Sequence, residues 1–225
     1  VFILSMAVSA YLFANEPIHH ALEISLDPIK STLNVVDRIT LPRHIDNSKI
    51  QFTLHGDLKV EPNSTIDQSR DPSMQTGIPL RTYRLNRLEA DRSVTIRYGG
   101  VIDHRLTDPQ EESERSFSET PGMISQDGVF LASSTFWYPH FQDEMLSFSL
   151  DIRLPSGWSS VSQGTRTLNE ATATSTRNIW NEVQSQDEIF LIAAPFHEFT
   201  QKAEPYLALA FLRQPDAALA SRYLD

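Results

Sequence analysis

The chain has 225 residues, room for one substantial domain or one and a fragment, and its 40% hydrophobic and 21% charged content is that of an ordinary folded protein. A formal charge of −10, from 19 basic and 29 acidic residues, leaves no dominant basic face and so excludes nucleic-acid binding as the main role. With no cysteine, disulfides, thiolate nucleophiles, cysteine-ligated zinc, iron-sulfur clusters and a lipoprotein anchor are excluded as well.

The apolar run Val1 to Ala14 ends at Asn15-Glu16-Pro17 and is too short for a bilayer span, which takes about 20 residues. Its length fits a secretory h-region, and Val8-Ser9-Ala10 and Ala14 are small residues of the kind a signal peptidase reads. Residues 1–16 are therefore expected to be a signal peptide or an anchor remnant. The protein is expected to be exported: periplasmic, secreted or membrane-anchored.

From Pro17 onward, short strand candidates alternate with turn clusters, the spacing of an all-β sandwich. Strands are predicted at His20–Leu26, Leu33–Leu41, Lys49–His55, Leu58–Val60, Arg81–Leu85 and Ser93–Tyr98. Pro42–Ser48 and Glu61–Pro79 carry the proline, asparagine, aspartate and glycine of turns. Leu106–Pro121 is rich in glutamate and serine and is expected to be a mobile, exposed loop. The second half predicts strands at Val129–Ala132, Met145–Leu154, Trp158–Ser162, Ala171–Asn178, Ile179–Val183 and Glu188–Ala194.

Met145–Leu154 has the clearest period of two, with Met145, Ser147, Ser149, Asp151 and Arg153 on one face and Leu146, Phe148, Leu150, Ile152 and Leu154 on the other. Pro155-Ser156-Gly157 breaks it, and the pattern resumes at Trp158, which reads as a hairpin. A helix is predicted from Pro215, with Asp216 at its positive end and Ala217, Ala218, Leu219 and Ala220 as helix formers. It reaches Asp225 without a C-cap glycine, so a further domain is expected beyond it. The fold class is all-β, an antiparallel β-sandwich with a short C-terminal helix starting a missing second domain.

Motifs for chemistry are sparse. His197-Glu198-Phe199-Thr200-Gln201 begins like the zinc-binding H-E-x-x-H but ends in glutamine, and reads as a solvated loop. His19 and His20 point to opposite faces of a strand, and His44, His55, His104 and His140 are scattered. No G-x-S-x-G elbow surrounds Ser133-Ser134, and no glycine-rich phosphate loop occurs. The arginines at 81, 84, 87, 92 and 97 read as a solvated face beside Glu89 and Asp91, and Asn63-Ser64-Thr65 fits a glycosylation acceptor. Trp137-Tyr138-Pro139-His140-Phe141 reads as junction packing, with a sugar-stacking platform as the other reading.

The stretch Asp127–Gly164 joins a glycine-led strand, an aromatic-aromatic-proline step, a strand of the form x-F-x-L-x-I-x-L-P and a run of small residues ending in glycine. It resembles the N-terminal domain of the aminopeptidase N family of zinc metallopeptidases. Gln186–Phe196 is similar to the strand closing that domain, Tyr206–Asp225 to the strand and helix opening the catalytic domain, and Ile18–Leu41 to the opening strands. The resemblance implies a sandwich over 17–203, the start of a truncated catalytic domain over 204–225, and zinc in the missing part. It also implies a peptide substrate for the parent, from which N-terminal amino acids are removed. The family's amine-binding Q-x-E-like element falls on Gly128 and Phe130, and Thr135 and Phe136 stand where its arginine would precede the aromatic step. Gln126 and Glu119 substitute only with a longer loop, so the chain reads as a divergent branch.

The expected function is that of a non-catalytic N-terminal domain of an exported zinc aminopeptidase-like protein, packing against and capping the catalytic cleft. No catalytic, cofactor-binding or metal residue is expected in this chain. Its partners would be the missing catalytic domain and the parent's peptide substrate, with membrane association through the N-terminus and no nucleic acid. The alternative is a free-standing secreted β-sandwich binding module for carbohydrate or protein built on Trp137–Phe141. A structural or adhesion sandwich would show tandem copies, and the sequence has no internal repeat.

Overall fold

Period-two alternation builds most of the molecule, in a computed structural model that describes residues 16–46, 50–68, 73–75, 77–104, 122–204 and 206–224. The apolar run 1–15, Lys49 and the charged loop 106–121 lie outside the described residues. The strands, in chain order, are β1 (Ile18–Asp27), β2 (Thr32–Thr40), β3 (Gln51–His55), β4 (Leu58–Val60), β5 (Ile66–Gln68), β6 (Ser73–Gln75), β7 (Ile78–Leu85), β8 (Ser93–Val101) and β9 (Met123–Ser125). They continue as β10 (Gly128–Leu131), β11 (Leu146–Pro155), β12 (Ser159–Val161), β13 (Thr165–Ala171), β14 (Ser175–Gln186), β15 (Leu191–Ala194), β16 (His197–Ala203) and β17 (Tyr206–Leu212), followed by helix α1 (Ala217–Leu224).

A seven-stranded sheet has the order β13-β14-β11-β1-β2-β8-β4. Its inner face carries Leu22 and Ile24 of β1, Leu33, Val35 and Ile39 of β2, Val94 and Ile96 of β8, and Phe148, Leu150 and Ile152 of β11, all buried. Its outer face carries polar partners such as Glu23, Asn34, Arg97 and Arg153, the alternation expected of a sheet wet on one side. Each large aliphatic so buried stabilises the fold by roughly 1.5–3 kcal/mol. A four-stranded sheet, β12-β15-β10-β9, and a third sheet, β3-β7-β5 with β6 also on β7, contribute to the same apolar cluster. The all-β sandwich is thus the one the sequence predicts.

The strand arrangement differs in places from the sequence reading. β1 pairs β11 in parallel, Ile18 opposite Leu146 through Ser25 opposite Arg153, inside an otherwise antiparallel sheet. Met145–Leu154 and Trp158–Ser162 do not form a hairpin: both edges of β11 are taken by β1 and β14, so β12 crosses to the other sheet and pairs β15. Gly157, at φ 78°, supplies the left-handed residue of that crossing turn. The two predicted strands within Ala171–Val183 are one long strand, β14, hairpinned with β13.

β16 and β17 form a separate two-stranded ribbon, His197 opposite Leu212 through Ala203 opposite Tyr206. The expected boundary between 203 and 204 falls in its turn. The predicted C-terminal helix is α1, whose first turn is capped by Asp216, with Oδ1 accepting the Leu219 N–H at 2.9 Å. Ala220 is its buried residue.

Candidate functional site

The aromatic-proline hub is a brace. Ser133–Thr135 make a single 3₁₀ turn ending at Phe136, whose φ of 53° is left-handed. Beyond it Trp137 and Tyr138 are fully buried and Phe141 nearly so, so the rings present no platform for stacking a sugar. Trp137 Nε1–H donates to the Ile189 carbonyl and the Tyr138 hydroxyl accepts the Ile189 N–H, each at 3.3 Å. Burial and the Ile189 hydrogen bond act on Tyr138 in opposite directions, and burial prevails, pushing its phenol well above the ordinary range.

From the other side, Gln163 donates to the Glu188 carbonyl and accepts the Phe190 N–H, both at 2.9 Å, and Ser162 Oγ donates to the Phe190 carbonyl at 2.7 Å. The Glu188 carboxylate accepts the Ser133 N–H at 3.1 Å and the Ser133 hydroxyl at 2.8 Å. The irregular segment 188–190 is therefore pinned along its length. That pinning fixes the phase of β15: Leu191 and Ala193 point into the core, while Phe190 and Ile192 are half-buried on the opposite side.

The result is an apolar row across the outer face of the four-stranded sheet. Met123 of β9 is opposite Phe130 of β10, Phe130 is opposite Ile192 of β15, and Ile192 is opposite Val161 of β12. All four are half-buried, and cross-strand neighbours of this kind form a continuous surface. Gly128, two residues before Phe130, lies beneath a guanidinium, since a Cβ placed there would meet Arg213 Nη1 at 3.3 Å. The two positions where the family resemblance looks for an amine anchor thus lie on this face, one as the centre of the apolar row. Gln126 is exposed in the turn between β9 and β10, and Glu119 lies outside the described residues.

The histidines are paired, not clustered. His19 Nδ1 lies 3.0 Å from the Ser147 hydroxyl, whereas His20, buried on the opposite face, lies 2.7 Å from Asp37. His44 contacts Glu144 at 3.0 Å, and His55 Nε2 lies 2.6 Å from His104 Nε2. His55 Nδ1 accepts the Asp57 N–H at 3.1 Å, so the proton of the neutral ring is on Nε2 and is donated to His104. A ring in that tautomer offers no lone pair to a metal at Nε2. His140 is held by the backbone pairing of its own strand-like residue with Thr53. Among the described residues no group of three or more His, Cys, Asp or Glu is placed to hold a metal.

Other charged candidates turn out to be structural. His197-Glu198 is not a solvated loop but the start of β16, and Glu198 receives two hydrogen bonds from Arg166, at 2.7 and 2.5 Å. Of the arginine series, Arg84, Arg87 and Arg97 are exposed, while Arg92 donates to the carbonyls of Leu41, Pro42 and Ile45 and Arg81 to that of Gly56. In the acceptor pattern, exposed Asn63 uses Oδ1 to accept the Thr65 N–H and hydroxyl. A cleft of about 390 Å³ on the outer face of the seven-stranded sheet is lined by Lys59, Arg97 and Arg153 opposed by Glu23 and Glu61.

No family model and no curated protein matches the sequence. Solved structures do. A variant of the M1 zinc metallopeptidase of Deinococcus radiodurans bound to a Tyr-Ser-Ala substrate superposes on 92% of this chain with a TM-score of 0.54 and 15% identity, over 51% of its own length. The M1 zinc metallopeptidase of the same organism gives 0.54 at 13% identity, covering 90% of this chain and 49% of that one. The chain has the fold of part of an M1 zinc metallopeptidase. An aminopeptidase N family protein from Idiomarina loihiensis agrees, with a TM-score of 0.52, 16% identity, 91% of this chain and 34% of its own. The chain thus spans about half the length of the M1 metallopeptidases from Deinococcus, and a third of the Idiomarina protein.

Proposed function

We propose that this chain is the non-catalytic β-sandwich of an exported zinc aminopeptidase-like protein, and that it packs through the outer face of its four-stranded sheet against the catalytic domain, helping to cap the cleft. The observation that carries this reading is the row Met123–Phe130–Ile192–Val161, half-buried apolar side chains on a sheet face whose reverse already belongs to the core. Such a face gains from being covered. The likeness to M1 metallopeptidases, of which this chain spans about half, supports a covering domain that brings the zinc and the peptide-cleaving groups. The apolar run before Asn15-Glu16-Pro17 supports export, with the membrane as a point of attachment through the N-terminus.

The binding-module reading draws less support, since the rings it requires, Trp137, Tyr138 and Phe141, are buried. The deciding experiment assays the 225-residue chain on aminoacyl substrates with and without zinc, beside a longer protein encoded by the same reading frame. The isolated chain is expected to release no amino acid under either condition and the longer protein to do so only with metal. Zinc-dependent turnover by the isolated chain, or a reading frame that closes at Asp225, refutes the proposal.

A further inference from the structure

Arg166 ties the ribbon β16–β17 to the sandwich, beside Leu209 of β17, which packs against the core. On β13, Arg166 is the cross-strand partner of Trp180 on β14; on the ribbon, Glu198 of β16 is the cross-strand partner of Phe211 of β17. Arg166 joins the two pairs. Its guanidinium makes two parallel hydrogen bonds to the Glu198 carboxylate, and its Cζ lies 5.7 Å from the Trp180 ring centroid and 5.8 Å from that of Phe211. Arg166 is 11% exposed and Glu198 20%, so the pair is largely withdrawn from water. A register shift between Arg166 and Leu168 shows that the strand is bulged at this residue, the device by which a strand re-aims one side chain. Trp180 in turn donates Nε1–H to the Ser160 hydroxyl, and Ser160 bonds to Asn178. The contact therefore runs from the ribbon through β13 and β14 to β12 in the other sheet.

We propose that Arg166 is a positioning residue: by gripping both strands of the ribbon at one register level, it sets the direction in which the chain leaves the sandwich. A bidentate fork fixes orientation as well as distance, and lysine cannot reproduce it. What is positioned, the zinc-bearing domain, rests on the reading given above; the grip itself does not.

Hydrogen exchange on the 225-residue chain tests the grip, comparing Arg166→Ala, Arg166→Lys and Glu198→Gln with the parent sequence. In each variant, protection of the β16–β17 amides is expected to fall at least about tenfold while β1 and β2 keep theirs, because a local opening is selectively favoured. Unchanged ribbon protection overturns the proposal. So does full retention by Arg166→Lys, which would make charge sufficient, and so does an equal loss in β1 and β2, which would make Arg166 an ordinary packing residue. The result is independent of whether a catalytic domain follows: if the reading frame closes at Asp225, the functional reading falls and the exchange result still stands.

Discussion

His55 is fully buried at the end of β3, donates its proton to His104 and receives the Asp57 N–H on its other nitrogen. Burial first, then the neighbouring His104, lowers its pKa from 6.5 to about 4. The folded state thus prefers the neutral ring, and between those values the unfolded chain binds the extra proton. The contribution of His55 to stability is therefore complete above about pH 6.5 and is lost as the pH falls toward about 4, a loss of at most about 3 kcal/mol for that shift. Burial lowers His19 and His140 as well, which steepens the same slope. Asp151 acts in the same direction at lower pH: hydrogen bonds from Arg177 hold its carboxyl below the usual range, so its contribution is kept above the ordinary carboxylate pKa and lost as the pH falls below it. Urea unfolding at pH 7.5 and pH 4.5 is expected to show a large fall in midpoint for the parent chain and a smaller one for His55→Gln. Equal falls in the two proteins would show that His55 is not the titrating group.

Among the elements, α1 and β13 make the more instructive cases. The cap on α1 is a single hydrogen bond from the Leu219 N–H to Asp216 Oδ1, so Asp216→Ala is expected to cost about 0.5–2 kcal/mol of helix stability, read as faster exchange in 217–224. An unchanged exchange rate there would mean that packing against β17, not the cap, holds the helix. Strands buried on one face were plain from sequence: β1, β2, β8 and β11 alternate because one side meets the core and the other meets water. β13 escapes the sequence because its inward face is only Arg166 and Leu168, between exposed Thr165, Thr167, Asn169, Glu170 and Ala171, and an arginine does not read as core. β16 reads as a loop in the sequence because His197-Glu198-Phe199-Thr200-Gln201 shows its partners only in three dimensions, in Arg166 and β17. The apolar row was equally hidden, since Met123, Phe130, Val161 and Ile192 come from four separate strands. The packing role of Trp137 and Tyr138 was legible, as bulky rings beside a proline demand burial; the hydrogen bonds to Ile189 that turn them into a brace were not.

At the scale of the whole molecule, the apolar row, an interface on the proposed reading, and a true core respond differently to the same kind of change. Leu150→Ala, at a site with no exposure, is expected to lower the stability of the isolated chain by about 2–5 kcal/mol. Met123→Lys with Val161→Lys, at the two margins of the apolar row, is expected to cost about 1 kcal/mol or less in the isolated chain while reducing the peptidase activity of the longer protein. Comparing urea midpoints with turnover separates the two, and a double variant that unfolds the isolated chain would show that the row is core and not interface. The parallel pairing of β1 with β11 carries a further consequence, for biosynthesis. His19 and Ser147, which meet across that pairing, are separated by 128 residues in sequence. At a synthesis rate of about 5–20 residues per second, the first strand waits on the order of ten seconds for its neighbour to leave the ribosome. Throughout that interval the hairpin of β1 and β2 exposes a row of backbone donors and acceptors, so a holding chaperone is most needed before residue 155 emerges and becomes dispensable after it.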